Sequence, residues 1–176
     1  MDKKVIIVIV GLILVSISVS VGLYFATSEP EANITTSTPV TTQPPPKVWT
    51  KTQTIDKVGG KGGPYKIDQI CEDSYVDGIN VKYDAYVDSV GIKCSDGKVF
   101  ENQGGKGGKL GKIDYEGGFT NIEVKSANYV DKIGTMGGNG GTSKILKCGP
   151  DEKIMGIYGQ HGSWVDSLGV YCGKLQ

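Results

Sequence analysis

The chain has 176 residues, with 19 Lys and no Arg against 19 acidic side chains, for a formal net charge of zero. A neutral chain exerts no long-range pull on a polyanion, and without Arg it lacks the planar fork that reads guanine and phosphate, so nucleic acid is excluded as a partner. The 27 glycines are clustered, which asks for an architectural reason rather than a disordered one.

Residues 1–4 are short and basic, and residues 5–26 carry no charge. As a helix this stretch is about 33 Å long, enough to cross a bilayer core. A cleaved signal peptide has a shorter apolar region, so the segment reads as a transmembrane signal anchor, although Ala26 and Ser28 are small enough to be cut near. Lys3 and Lys4 precede the span, and Glu29 and Glu31 follow it. This asymmetry predicts a type II orientation, with residues 1–4 cytosolic and everything after Ala26 extracellular or lumenal.

Residues 27–50 are rich in Thr and Pro, including Pro44-Pro45-Pro46. Such a stretch buries no core and favours extended polyproline II, giving a stalk that reaches roughly 70 Å. Asn33-Ile34-Thr35 is an N-glycosylation sequon on the side that topology makes extracellular.

The folded domain is expected over residues 51–176, and an internal repeat organises it. The string GG-x-GG occurs at Gly59–Gly63, Gly104–Gly108 and Gly137–Gly141. An aromatic-Val-Asp triplet follows each: Tyr86-Val87-Asp88, Tyr129-Val130-Asp131 and Trp164-Val165-Asp166. Aligning the repeats on the Asp superposes Ile79, Ile122 and Ile157, and likewise Val81, Val124 and Gly159. Residues 78–83 and 121–126 alternate apolar and polar, the period of a half-buried strand, and no helical stripe competes. The fold class is therefore all-β, closed or pseudo-symmetric, with glycine turns.

The cysteines follow the repeat. Cys71 precedes Cys94 by 23 residues and Cys148 precedes Cys172 by 24, while the middle repeat lacks both members. Pairing within repeats predicts Cys71–Cys94 and Cys148–Cys172, one of three connectivities, and an extracellular address preserves such bridges. Zinc is disfavoured, because C-x-x-C is absent and His161 is the one histidine. Neither a catalytic set nor a metal or cofactor motif emerges, so an enzyme is not expected.

The stretch from Gly137 to Cys172 resembles the C-terminal part of a jacalin-related lectin, with its glycine turn, Gly-x-x-x-Asp loop and following strand. The opening GGKGGPYKID resembles that family's first turn. The resemblance covers residues 51–176. It implies a β-prism of three four-stranded antiparallel Greek-key sheets, here preceded by one transmembrane helix. It also implies a sugar held between the first glycine turn and the Gly-x-x-x-Asp loop. Carried over, the carbohydrate-binding residues are Gly59, Gly60, Gly162, Ser163, Trp164 and Asp166.

The chemistry suits a pyranose. An ionised Asp166 accepts from two hydroxyls, the backbone N–H groups of Ser163 and Trp164 donate, and Gly162 removes a Cβ that would block approach. The other repeats have Asp84 and Ala127 where the third has Gly162. Yet all three keep the Asp, so a structural role in the turn competes with the binding role. Trp164 has Tyr86 and Tyr129 as repeat mates, so its ring is expected to pack. Gln160 and His161 stand where the family often has a basic and a small polar residue. Lys61, Lys106 and Lys109 lie in or beside the turns. Residues 51–176 hold 16 Lys and 16 acidic residues, so these lysines read as solvated.

The expected function is binding of glycans or glycoproteins, with the uncut turn resembling mannose/glucose-type members. Surface density or a homo-oligomer would supply avidity. The alternative is a structural β-prism without a sugar site, since the within-repeat cysteines also resemble vitelline-membrane outer-layer proteins.

Overall fold

The computed structural model describes residues 45–176. The expected span over 5–26, the sequon at Asn33 and most of the stalk lie outside these residues. Among the described residues no helix is long and apolar enough to cross a membrane.

Twelve strands make up the described chain. They are β1 (Trp49–Gly59), β2 (Tyr65–Ile70), β3 (Val76–Tyr83), β4 (Val87–Cys94), β5 (Gln103–Gly104) and β6 (Lys109–Asp114), then β7 (Asn121–Ser126), β8 (Val130–Ile133), β9 (Met136–Gly137), β10 (Thr142–Lys147), β11 (Lys153–His161) and β12 (Val165–Leu175). They form three four-stranded antiparallel sheets, in the orders β1-β12-β11-β2, β5-β4-β3-β6 and β10-β7-β8-β9.

The alternation seen in the sequence sets which face turns inward. Ile79 and Val81 in β3 are buried, as are Ile122 and Val124 in β7 and Ile157 in β11. They meet Val90, Ile92, Ile133, Leu146 and Leu168 in one apolar cluster shared by the sheets. Gly159 replaces valine in the third repeat for a steric reason: a Cβ there would run into the Ser167 carbonyl of the neighbouring strand.

Each sheet is a central hairpin flanked by two strands that a GG-x-GG turn joins. In two sheets these four strands are consecutive, β3–β6 and β7–β10. The remaining sheet closes the ring by placing β1 and β2 around the last hairpin, β11–β12. The first glycine turn and the last Asp loop therefore share one sheet, as the family resemblance implies.

The first strand starts at Trp49, two residues before the boundary expected at Lys51. Most of β1 is exposed, so its Thr, Lys and Gln side chains look like more stalk. Pairing holds it: Val48 N–H donates to Gln176 O at 3.0 Å, and Gln176 N–H returns to Val48 O at 2.9 Å. The Trp49 ring meets Tyr75 edge-on at 5.1 Å, and the Lys153 ammonium lies 4.0 Å from the Tyr75 ring centre. Glu152 adds a latch, accepting from Thr52 Oγ1 at 2.6 Å, from Gly149 N–H at 2.8 Å and from Gln53 Nε2. The Thr52 bond is the main reason its carboxyl is held below the usual range.

Both expected disulfides are present, Cys71–Cys94 and Cys148–Cys172. Although each lies within a sequence repeat, each spans two sheets. Cys71 follows β2 and bridges to β4 of the next sheet, while Cys148 follows β10 and bridges to β12.

Candidate functional site

The three glycine turns lie across the three hairpin loops, each in the same way. The second glycine of each turn donates its N–H to the carbonyl of the repeat Asp: Gly60 to Asp166, Gly105 to Asp88 and Gly138 to Asp131, all at 2.8 Å. The third and fourth glycines lie over the carboxylate. A Cβ on Gly62 would be 2.7 Å from Asp166 Oδ1, on Gly107 2.7 Å from Asp88 Oδ1, and on Gly140 2.6 Å from Asp131 Oδ1. The motif is thus a steric requirement, because no side chain fits between turn and carboxylate. The first glycine also needs its freedom of backbone conformation, with φ of 105° at Gly59, 138° at Gly104 and 130° at Gly137.

All three carboxyl residues are nearly enclosed, with Asp88 at 8%, Asp131 at 4% and Asp166 at 5% exposure. Asp131 Oδ2 is buried without a hydrogen-bond partner. Burial, and then the nearby Asp84 carboxylate, push the Asp88 carboxyl above its usual range. Because the seat recurs in every repeat, a carboxylate under the turn is part of the architecture and does not by itself mark a site.

Gly162 is what sets the third loop apart. The loop backbone is the same in each repeat: Gly162 N–H donates to Trp164 O at 2.9 Å, Asp84 N–H to Tyr86 O at 3.0 Å and Ala127 N–H to Tyr129 O at 3.0 Å. A Cβ at Gly162 would meet nothing closer than Asp166 Oδ2 and Pro64 Cδ, both at 3.8 Å. The fold therefore does not require glycine here. Its absent side chain leaves a slot between Pro64 of the turn and the Asp166 carboxylate. The other two repeats have Asp84 and Ala127 at that position in the chain, and in the second repeat a cavity of about 140 Å³ is lined by Ala127, Tyr129 and Asp131.

Trp164 packs, as its repeat mates suggest. Tyr86, Tyr129 and Trp164 meet with ring centres 5.2–5.7 Å apart, one ring from each repeat. Gly59, Gly60, Gly162, Ser163, Trp164 and Asp166 all belong to the first turn and the third loop, but the turn residues nearest Gly162 are Gly63 and Pro64, while Gly60 backs onto the Asn128 carbonyl of the second repeat. The sequence did not single out Tyr65 or Pro64. Tyr65 pairs with His161 across β2 and β11, and their rings stack at 5.4 Å beside the slot. Only the register shows this. Lys61 and Lys106 are exposed, and Lys109 lies 5.1 Å from the Tyr83 ring centre. Among the described residues no group of three or more His, Cys, Asp or Glu is placed to hold a metal ion.

No protein-family model and no curated protein matches the chain. Solved structures do. Malaysian banana lectin is 23% identical with a TM-score of 0.59, over 68% of this chain and 96% of that one. A mannose-binding jacalin-related lectin from Ananas comosus is 23% identical with a TM-score of 0.56, over 70% and 96%. Artocarpin, solved with methyl-α-mannose, is 17% identical with a TM-score of 0.59, over 70% and 99%. The three-sheet prism described above is therefore the β-prism fold of jacalin-related lectins.

Proposed function

We propose that the chain is a membrane-anchored lectin that binds glycans of mannose or glucose type in the slot between the first glycine turn and the Gly162–Asp166 loop, without catalysis. The observation that carries this reading is Gly162. It is a glycine that the fold does not need, and it opens space beside a seated carboxylate. Asp166 would accept from two ring hydroxyls, and the backbone N–H groups of Ser163 and Trp164 would donate to sugar oxygens. Gly63 and Pro64 form the facing wall. The fold shared with a mannose-binding lectin and with artocarpin supports a hexose ligand.

Filling the slot tests the reading. Gly162→Val is expected to leave the melting temperature within about 2 °C of the parent, on the scale of an ordinary surface substitution, while glycan binding is lost. A Gly162→Val protein that binds glycans as well as the parent would refute the slot.

The setting belongs to the same proposal. A signal anchor over 5–26 and a Thr/Pro stalk over 27–50, glycosylated at Asn33, would hold the domain outside the cytosol for adhesion or attachment. One such site is weak, so density on the membrane or a homo-oligomer would supply avidity. Protease added to intact cells should release the domain, whereas full protection would mean the opposite orientation.

A further inference from the structure

The sheet that carries the slot differs from the other two on its outer face. Alternate residues of a strand share a face, so Tyr158 and Gln160 lie in one line along β11, which ends at His161, next to Gly162. Tyr171 of β12 lies beside Tyr158, with ring centres 5.0 Å apart and planes 19° from parallel. Both rings lie over glycine backbone. A Cβ on Gly169 would be 2.6 Å from Tyr158 Cζ, and one on Gly156 would be 3.1 Å from Tyr171 Cδ2.

Hydrogen bonds fix the rings. Tyr158 Oη donates to Ile55 O at 2.9 Å and Tyr171 Oη to Asp68 Oδ1 at 3.0 Å. Burial, with the Asp68 bond, pushes the Tyr171 hydroxyl up to about 12, so it remains a donor. Lys57, Lys66, Asp68 and Gln160 complete the walls of an open cavity of about 320 Å³ over the two rings. Gln160 joins this cavity to the slot. Its Oε1 accepts from Lys57 Nζ at 2.8 Å, and its Nε2 donates to Gly63 O, in the glycine turn itself, at 3.4 Å.

The repeats again act as an internal control. Aligned on the repeat Asp, Tyr158 corresponds to Asn80 and Glu123, and Tyr171 to Lys93 and Met136. The tyrosine pair and Gly162 therefore occur in the same repeat, and in one repeat alone.

We infer that the tyrosine groove is a second subsite of the proposed lectin site, taking a sugar farther along the same oligosaccharide. This rests on the glycan reading above and adds the ligand class: a chain of several sugars rather than a single residue. Flat aromatic faces suit the C–H face of a pyranose, and the Lys, Asp and Gln rim supplies donors and acceptors for its hydroxyls. Gly162 is four steps along the chain from Tyr158, roughly 13 Å at the rise of a β-strand. That is more than one pyranose ring spans, so a monosaccharide in the slot leaves the groove empty.

Calorimetric titration of the full-length protein, in a detergent with no sugar head group, tests this with methyl α-mannoside and an α-linked mannotetraose. The tetrasaccharide should bind about tenfold or more tighter than the monosaccharide, the increment of one aromatic contact. Tyr158→Leu/Tyr171→Leu should reduce the tetrasaccharide to the level of the monosaccharide and leave the monosaccharide unchanged. Lys66→Ala, an exposed wall residue, should weaken the tetrasaccharide alone, and it serves if the double variant melts early. Equal affinity of the parent for both sugars, or equal loss of both in a folded groove variant, overturns the subsite while the slot stands. Failure of the parent to bind either sugar overturns the glycan reading and the subsite with it.

Discussion

Asp166→Ala is expected to abolish detectable glycan binding while the domain stays folded, and Asp131→Ala to leave binding intact. Loss of the carboxylate removes up to two charge-assisted hydrogen bonds, each worth about 1.5–3 kcal/mol. A ligand held at millimolar strength has only about 4 kcal/mol to lose, so one such bond is enough. Asp131 occupies the same seat under its own turn, but Ala127 stands where the third repeat has Gly162. The two variants therefore lose the same seat under a turn and differ in the loop beside it, Gly162 against Ala127. If both lower the melting temperature alike and any binding loss follows unfolding, the carboxylates serve the turns alone. If folded Asp131→Ala loses binding as completely as Asp166→Ala, the site is not confined to the third loop.

Removing a disulfide is the largest stability change expected. Cys71→Ala/Cys94→Ala should cost about 3 kcal/mol by the chain-entropy estimate for the loop it closes. For a domain of this size that lowers the melting temperature by roughly 10 °C. The loss falls on the junction between two sheets, because Cys71 follows β2 in one and Cys94 ends β4 in the next. The matching Cys148→Ala/Cys172→Ala pair should behave alike, since it closes a loop of nearly the same length. A melting temperature that moves by less than about 2 °C in either double variant would mean the bridge contributes little, outside the usual range for such loops. Peptide mapping without reductant should recover these two pairs.

Much of the architecture is written in the repeat. GG-x-GG, the aromatic-Val-Asp triplet and the matched isoleucines announce three similar β units, and absence of both cysteines from the middle unit announces how the others pair. The phase of those units is not written there. The sequence repeat runs from a glycine turn to the Asp that follows it, whereas each sheet joins an Asp hairpin to the turn after it. Closure of the ring then sets the first turn over the last loop, and the family resemblance alone pointed to that. The start of β1 is not marked in the sequence, because it is an exposed edge strand whose polar side chains give no alternation. Its partners, β12 and the Trp49–Tyr75 contact, are distant in sequence.

The site divides in the same way. Asp166 and Gly162 stand out because the other repeats supply a comparison, and Trp164 can be assigned to packing because its mates are tyrosines. The reason for the glycines is not legible, since it depends on how close Gly62 and Gly63 come to a carboxylate more than one hundred residues away. Nor is the seat of Asp88 and Asp131 under their own turns. Tyr65 against His161 is visible only when strands from opposite ends of the domain lie side by side, and Tyr158 against Tyr171 only once the register of the last hairpin is known.

The most direct measurement is a glycan array probed with residues 45–176, parent beside Asp166→Ala. The parent should bind mannose- or glucose-terminated glycans, more strongly as the printed density rises, and Asp166→Ala should bind none. A folded parent that binds no glycan at any density, or an Asp166→Ala protein that keeps the parent's pattern, would contradict a sugar site under the first glycine turn.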